Sequence, residues 1–223
     1  MFGYRYIRLD VFLLYITSGF GMAGIGMGVM QDAIHGSYSK HSKLNTILGY
    51  SMNIIGANAT AWHLQHNVLH HTYTNIHEAD DDLNLPFFLR FSPHKKKYKI
   101  HRFQFIYVWF FYSISTLAWI SAKDFVRLTR YQKMGLIENR NEFYKSLFHL
   151  TLWKVAYYIY AIILPIIVLR FSSCLTILAF ISMHLVTGLV ISCVFQVAHV
   201  MPNVNYPVTD DQGNIDNEFI LTF

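Results

Sequence analysis

The chain has 223 residues, 53% hydrophobic and 17% aromatic, and its 14% of charged residues falls well below the roughly 25% of a soluble domain. The net charge of +5 comes from basic residues gathered between apolar runs, the positive-inside pattern of a membrane protein rather than a nucleic-acid surface. Cys174 and Cys193 both sit inside an apolar run, which excludes a disulfide framework and a cysteine zinc site. No cleavable signal peptide, internal repeat or low-complexity tract is recognisable.

In chain order, a short aromatic lead with Arg5 and Arg8 precedes Val11 to Met30, an uncharged run of 20 residues that is long enough to cross a bilayer. Gly24 and Gly28 stand four apart, so that helix is expected to pack tightly along a flat face. QDAIHGSYSKH follows, with Gln31 and His35 one turn apart and Asp32 between them; His35 is a ligand candidate, whereas His41 reads as a solvated loop residue. Residues 44–62 are uncharged but carry Asn45, Asn53 and Asn58. A re-entrant or interfacial helix is expected there, because a span would put His35 and the next histidines on opposite sides.

The stretch from Trp62 to Asn75, WHLQHNVLHHTYTN, holds His63, His66, His70 and His71. On a helix His66 and His70 are one turn apart on one face, and His71 is about 100° round. Imidazoles at that spacing, between apolar segments, point to a site for iron, zinc or copper. Asn67 lies within this group. Asp80, Asp81 and Asp82 follow, and read equally well as outer partners that fix imidazole tautomers or as a solvated turn. The basic stretch FSPHKKKYKIHRFQ then suits a surface of anionic head groups.

Residues 103–122 are apolar, but basic residues flank both ends, so a second interfacial or re-entrant helix is expected, followed by a polar connector over 123–148. Residues 155–169 and 175–198 read as a helical hairpin; it carries His184, read as hydrogen-bonded inside the bundle, and ends in VFQVAHV with His199. The expected fold is an all-α integral membrane bundle forming one domain over 1–223. It has three spans (11–30, 155–169, 175–198), two interfacial elements (44–62, 103–122) and a histidine-rich cap facing the cytoplasm. His35, His66, His70, His71 and His199 then fall on one side.

QDAIHGSYSK, HNVLHHTYTN and FQVAHV together resemble the first two histidine boxes and the lone late histidine of the integral-membrane fatty acid desaturases. The likeness is strongest to the acyl-lipid and linoleoyl-CoA, delta-6-like front-end branch, and it runs over nearly the whole chain. It implies a di-iron centre that uses O2 and two electrons to place a cis double bond in an acyl chain. It also implies His35, His66, His70, His71 and His199 as iron ligands, with Gln31, Asp32, Asn67, Asp80 and Asp82 as weak ligands or outer partners. The partners implied are membrane lipid, an acyl substrate on CoA, carrier protein or lipid, and an electron donor such as cytochrome b5 or ferredoxin. Gln31 stands where the first box usually has histidine, and the chain stops before the place of a third box. It therefore reads as an internal portion of a desaturase, expected not to turn over alone. A membrane hydroxylase or alkane oxygenase, a bis-histidine haem protein and an inactive zinc-binding membrane protein are the competing readings.

Overall fold

The computed structural model describes residues 3–83, 85–168, 170–200, 204–210, 212, 214 and 215; the side chains of residues 3–8 and of His199 lie outside that description, as does the rest of the acidic tail. Among the described residues the regular structure is all helical. Helix α1 covers residues 3–34, with a π-helical turn at Ile25–Met30. Two short helices follow, α2 (Ser42–Gly49) and α3 (Ser51–Ile54), and then α4 over residues 59–70. Helix α5 runs over Lys99–Lys133, α6 over Arg140–Ile167 and α7 over Ser173–His199.

Four helices among the described residues are long and apolar enough to cross a membrane: Leu9–Ile34, Lys99–Lys133, Arg140–Ile167 and Ser173–Ala198. Three of them cover the expected spans at 11–30 and 175–198 and the span at 155–169 as far as Ile167. The fourth, 35 residues long, contains the 103–122 run that its flanking charges assign to the interface. The apolar run over 44–62 is divided among α2, α3 and the start of α4. The connector over 123–148 is helical on both sides of a turn at residues 134–139.

Contacts divide the chain into two compact units: residues up to Ala61 with Trp109–Phe195, and Trp62–Val108 with the described residues from Gln196 onward. The first unit is the apolar one. Its core gathers Ile120, Tyr157, Ala161, Phe180 and Met183. The expected flat face at Gly24 and Gly28 is not where helices meet, for a Cβ at either would find no described atom within 4 Å. The close approaches are at Gly19, where a Cβ would lie 2.7 Å from the Met183 carbonyl oxygen, and at Gly188, 2.7 Å from that of Tyr112. Spacing identifies small residues, but the neighbour decides which of them is used.

Several buried polar groups in this unit are paired, as an apolar setting demands, while Ser51 Oγ, Asn53 Nδ2 and Gln132 Oε1 are buried without a hydrogen-bond partner among the described residues. Pro165 has no N–H to offer the Ala161 carbonyl one turn earlier, and Tyr15 Oη donates to that oxygen at 2.6 Å. Lys154 is buried and donates to Gly56 O (3.1 Å), Trp119 O (3.0 Å) and Asp124 Oδ2 (2.9 Å). His184 is buried as expected, with Nε2 2.6 Å from Tyr157 Oη and Nδ1 3.3 Å from Thr116 Oγ1.

The three asparagines of 44–62 hold turns. Asn45 accepts from Ser39 N–H and donates to the carbonyls of Gly36 and Ser39. Asn53 Oδ1 accepts from Ala59 N–H, and Asn58 Oδ1 caps α4 by accepting from Ala61 N–H at 2.9 Å. Each buried amide thus fixes a chain reversal, so the segment breaks into short helices instead of one long one.

Candidate metal centre

The second unit carries the densest histidine cluster. From His63 to His70 the helix is π-helical, a widened form found often at functional sites. Its rings form a column in which Trp62 stacks on His66 with centroids 4.8 Å apart, and His66 stacks on His70 at 5.1 Å. His71, the residue that ends the helix, turns edge-on to both, at 4.7 Å from His66 and 5.3 Å from His70. His66 and His70 are buried, His63 and His71 exposed, and Asn67 half-buried on the same turn.

The loop beyond folds back through Asn75 and Glu78, whose φ values of 63° and 65° are left-handed. Asparagine tolerates that conformation better than most residues. It aims the Asn75 N–H at Asp80 Oδ2, 2.8 Å away. Asp80 Oδ1 accepts from Asp82 N–H at 2.9 Å and meets His70 Nδ1 at 2.8 Å. Asp82 Oδ2 meets His66 Nδ1 at 2.8 Å and lies 3.8 Å from His70 Nδ1, while its Oδ1 accepts from Gln65 Nε2. Asp80, Asp81 and Asp82 are all buried, so the turn is not solvated, and Asp80 and Asp82 each pair with an imidazole.

A carboxylate only accepts, so the proton sits on Nδ1 of each imidazole, and Nε2 carries the lone pair that a metal takes. Burial alone pushes His70 down, but the Asp80 hydrogen bond and the charges of Asp82 and Asp80 outweigh it and hold His70 above its ordinary value. Burial alone would raise Asp82. The hydrogen bond and charge of His66, then Gln65 and His70, overcome that and hold the carboxyl below its ordinary range. The donor set, two imidazoles on stacked rings with centroids 5.1 Å apart, fits a nitrogen-preferring, redox-capable ion such as iron.

The other sequence-predicted residues lie elsewhere on the chain. His35 ends α1 in the first unit, with its Nε2 3.1 Å from Gln31 Nε2. Asp32 is exposed there, and its backbone carbonyl accepts from Ser37 and Tyr38 N–H. His199 closes α7, and its side chain lies outside the described residues. Gln65 and Trp62 were not singled out from sequence. Their signal is position: both share the buried face of α4 with His66 and Leu69, and a polar residue on such a face needs a partner. Asp80 also lines a cavity of about 210 Å³ together with His77, His94, Lys95 and Lys96.

Residues 9–223 match the family model described as fatty acid desaturase. The chain is 29% identical over 206 residues to the sn-1 linoleoyl-lipid 6-desaturase of Arthrospira platensis, covering 92% of this chain and 55% of that protein. It is also 29% identical over 206 residues to the acyl-lipid (8-3)-desaturase of Physcomitrium patens, covering 88% and 41%. A shorter match, 37% over 106 residues, is to the acyl-lipid (7-3)-desaturase of Diacronema lutheri, covering 48% and 24%. The chain thus spans about half the length, or less, of these relatives. No solved structure matches it.

Proposed function

The chain belongs to the fatty acid desaturase family, and from that premise we propose that it serves O2-dependent introduction of a cis double bond into a fatty acyl chain at a histidine-held di-iron centre. The observation that carries this reading is the pair of buried imidazoles, His66 and His70, each with Nδ1 2.8 Å from a buried aspartate. That is the arrangement in which carboxylates orient metal-ligating histidines. His66, His70 and His71 hold metal through this cluster, and His35 and His199 complete the ligand set that the family resemblance implies. Asp80 and Asp82 orient rings; Gln31 lies beside His35 in place of a further histidine.

Bound iron, with O2 and two electrons, supplies the oxidising power that an unactivated methylene demands. The protein's own work is geometric. Asp80 and Asp82 hold the protons at His70 Nδ1 and His66 Nδ1, which keeps the Nε2 lone pairs directed at the ion. Burial of both rings keeps water from them. The lysines of the cavity beside Asp80 suit the polar end of an acyl carrier, whether CoA, carrier protein or lipid. The histidine side faces the cytoplasm, in keeping with the basic residues around it, and takes electrons from a donor such as cytochrome b5 or a ferredoxin.

The test is iron per polypeptide in detergent-purified protein, beside a His66→Ala/His70→Ala double variant, with acyl products analysed in a desaturase-deficient host. Iron present in the parent and lost in the double variant is the expected result. Equal iron in both would overturn the ligand assignment, and an alcohol in place of an alkene would overturn the reaction.

A further inference from the structure

The two aspartates are held differently. Asp80 receives backbone donors on both oxygens, from Asp82 N–H at 2.9 Å and Asn75 N–H at 2.8 Å, so its orientation is written into the loop itself. Asp82 is held at Oδ1 by a side chain, the Gln65 amide, and at Oδ2 by His66 Nδ1. Asp82 is 5% exposed and Gln65 4% exposed, so water is a poor substitute for either contact. A carboxylate gripped at one oxygen cannot rotate without releasing the other.

We propose that Gln65 is a positioning residue: through Asp82 it fixes the ring orientation and Nδ1–H tautomer of His66, and so directs His66 Nε2 toward the metal. This rests on the reading that the cluster holds a metal. An amide suits the task for two reasons. It donates to Oδ1 without adding charge, and its own burial is compensated by the bond it makes. His70 donates its hydrogen bond to Asp80 instead, and feels Asp82 only as a charge 3.8 Å away.

The experiment uses the full chain in detergent. Imidazole 15N shifts are read without metal, and Co2+ affinity is measured by competition with a chelator. The His66 signals are assigned by their loss in His66→Ala. The expected parent state is an Nδ1-protonated His66. Gln65→Leu should turn this into a mixture of tautomers and leave His70 in its Nδ1-protonated form, which Asp80 holds. It should also weaken Co2+ binding by about tenfold, the lower end of what outer partners of metal ligands contribute. Asp82→Asn should weaken binding at least as much, and the Gln65→Leu/Asp82→Asn double variant no further, because the two act in series. Unchanged His66 shifts in Gln65→Leu, or effects that add in the double variant, would overturn the proposal. If Co2+ affinity in the parent equals that in His66→Ala, the metal reading fails instead, and the metal-free 15N shifts still decide the role of Gln65. Gln65→Asn, which keeps the amide on a shorter arm, should recover part of the parent tautomer and would count against the proposal if it behaved as leucine does.

Discussion

Replacing Asp80 with asparagine tests the outer layer of the cluster at its best-held point. Asp80 is 1% exposed, and its carboxylate receives His70 Nδ1–H at 2.8 Å, Asp82 N–H at 2.9 Å and Asn75 N–H at 2.8 Å. Asparagine has one oxygen and one NH2 group. If its oxygen takes the Oδ1 place, NH2 faces the Asn75 N–H; if it is reversed, NH2 faces both His70 Nδ1 and the Asp82 N–H. Either way a donor meets a donor, and the hydrogen bond to His70 loses its charge assistance. A bond to a charged group contributes about 1.5–3 kcal/mol, and a buried donor left unmatched costs about 1–3 kcal/mol. The loop can relax to relieve part of this, so about 2–3 kcal/mol should reach the metal equilibrium. At about 1.4 kcal/mol per factor of ten, that is a loss of about 30- to 140-fold in affinity. The assay is Co2+ or Fe2+ competition titration of the solubilised protein, with circular dichroism to verify that helix content is kept. A folded Asp80→Asn variant that binds metal within twofold of the parent would refute the orienting role.

Other consequences follow from the apolar unit and from α1. Lys154→Met should leave Asp124 buried without its cation; both side chains are nearly inaccessible, at 6% and 2%, so a loss of about 3–5 kcal/mol is expected, read as accelerated unfolding on heating in detergent. The Lys154→Met/Asp124→Leu pair should recover most of it, and failure to do so would place the cost in packing. Tyr15→Phe removes the donor to the Ala161 carbonyl that Pro165 leaves without an N–H, and should cost about 1–2 kcal/mol by the same measurement, while Tyr15→Phe with Pro165→Ala should be close to neutral. Gln31→His adds an imidazole beside His35, where the amide now lies 3.1 Å from Nε2, and should raise iron bound per polypeptide; an unchanged value would separate position 31 from the ligand set.

How much of this was legible in the sequence depends on how local each cause is. The clustering of His66, His70 and His71 follows from spacing on a single helix, and the structure keeps it even though the helix widens to the π form. The aspartates were ambiguous because DDD is the same string in a solvated turn and in a buried shell. What separates the two is the left-handed backbone at Asn75, at φ 63°, which turns an N–H inward and lets Asp80 follow. Gln65 was invisible for a related reason: a glutamine beside a histidine has no chemical signature until its partner, 17 residues along the chain, is known to be buried with it. The same holds in the helices. Four-residue glycine spacing marked Gly24 and Gly28, but close packing is used at Gly19 and Gly188, where Met183 and the Tyr112–Ser113 backbone face them. Basic flanks suggest an interface for 103–122, and the helix that contains it runs on through them to Lys133, where Asp124 is bonded by Trp119 Nε1 and Lys154 Nζ. A polar residue in such a chain is better read by asking which backbone or side-chain group it must satisfy. Asn45, Asn53 and Asn58 answer with turn and cap hydrogen bonds, Lys154 with a buried carboxylate, and Asp80 and Asp82 of the second unit with the Nδ1 protons of two imidazoles.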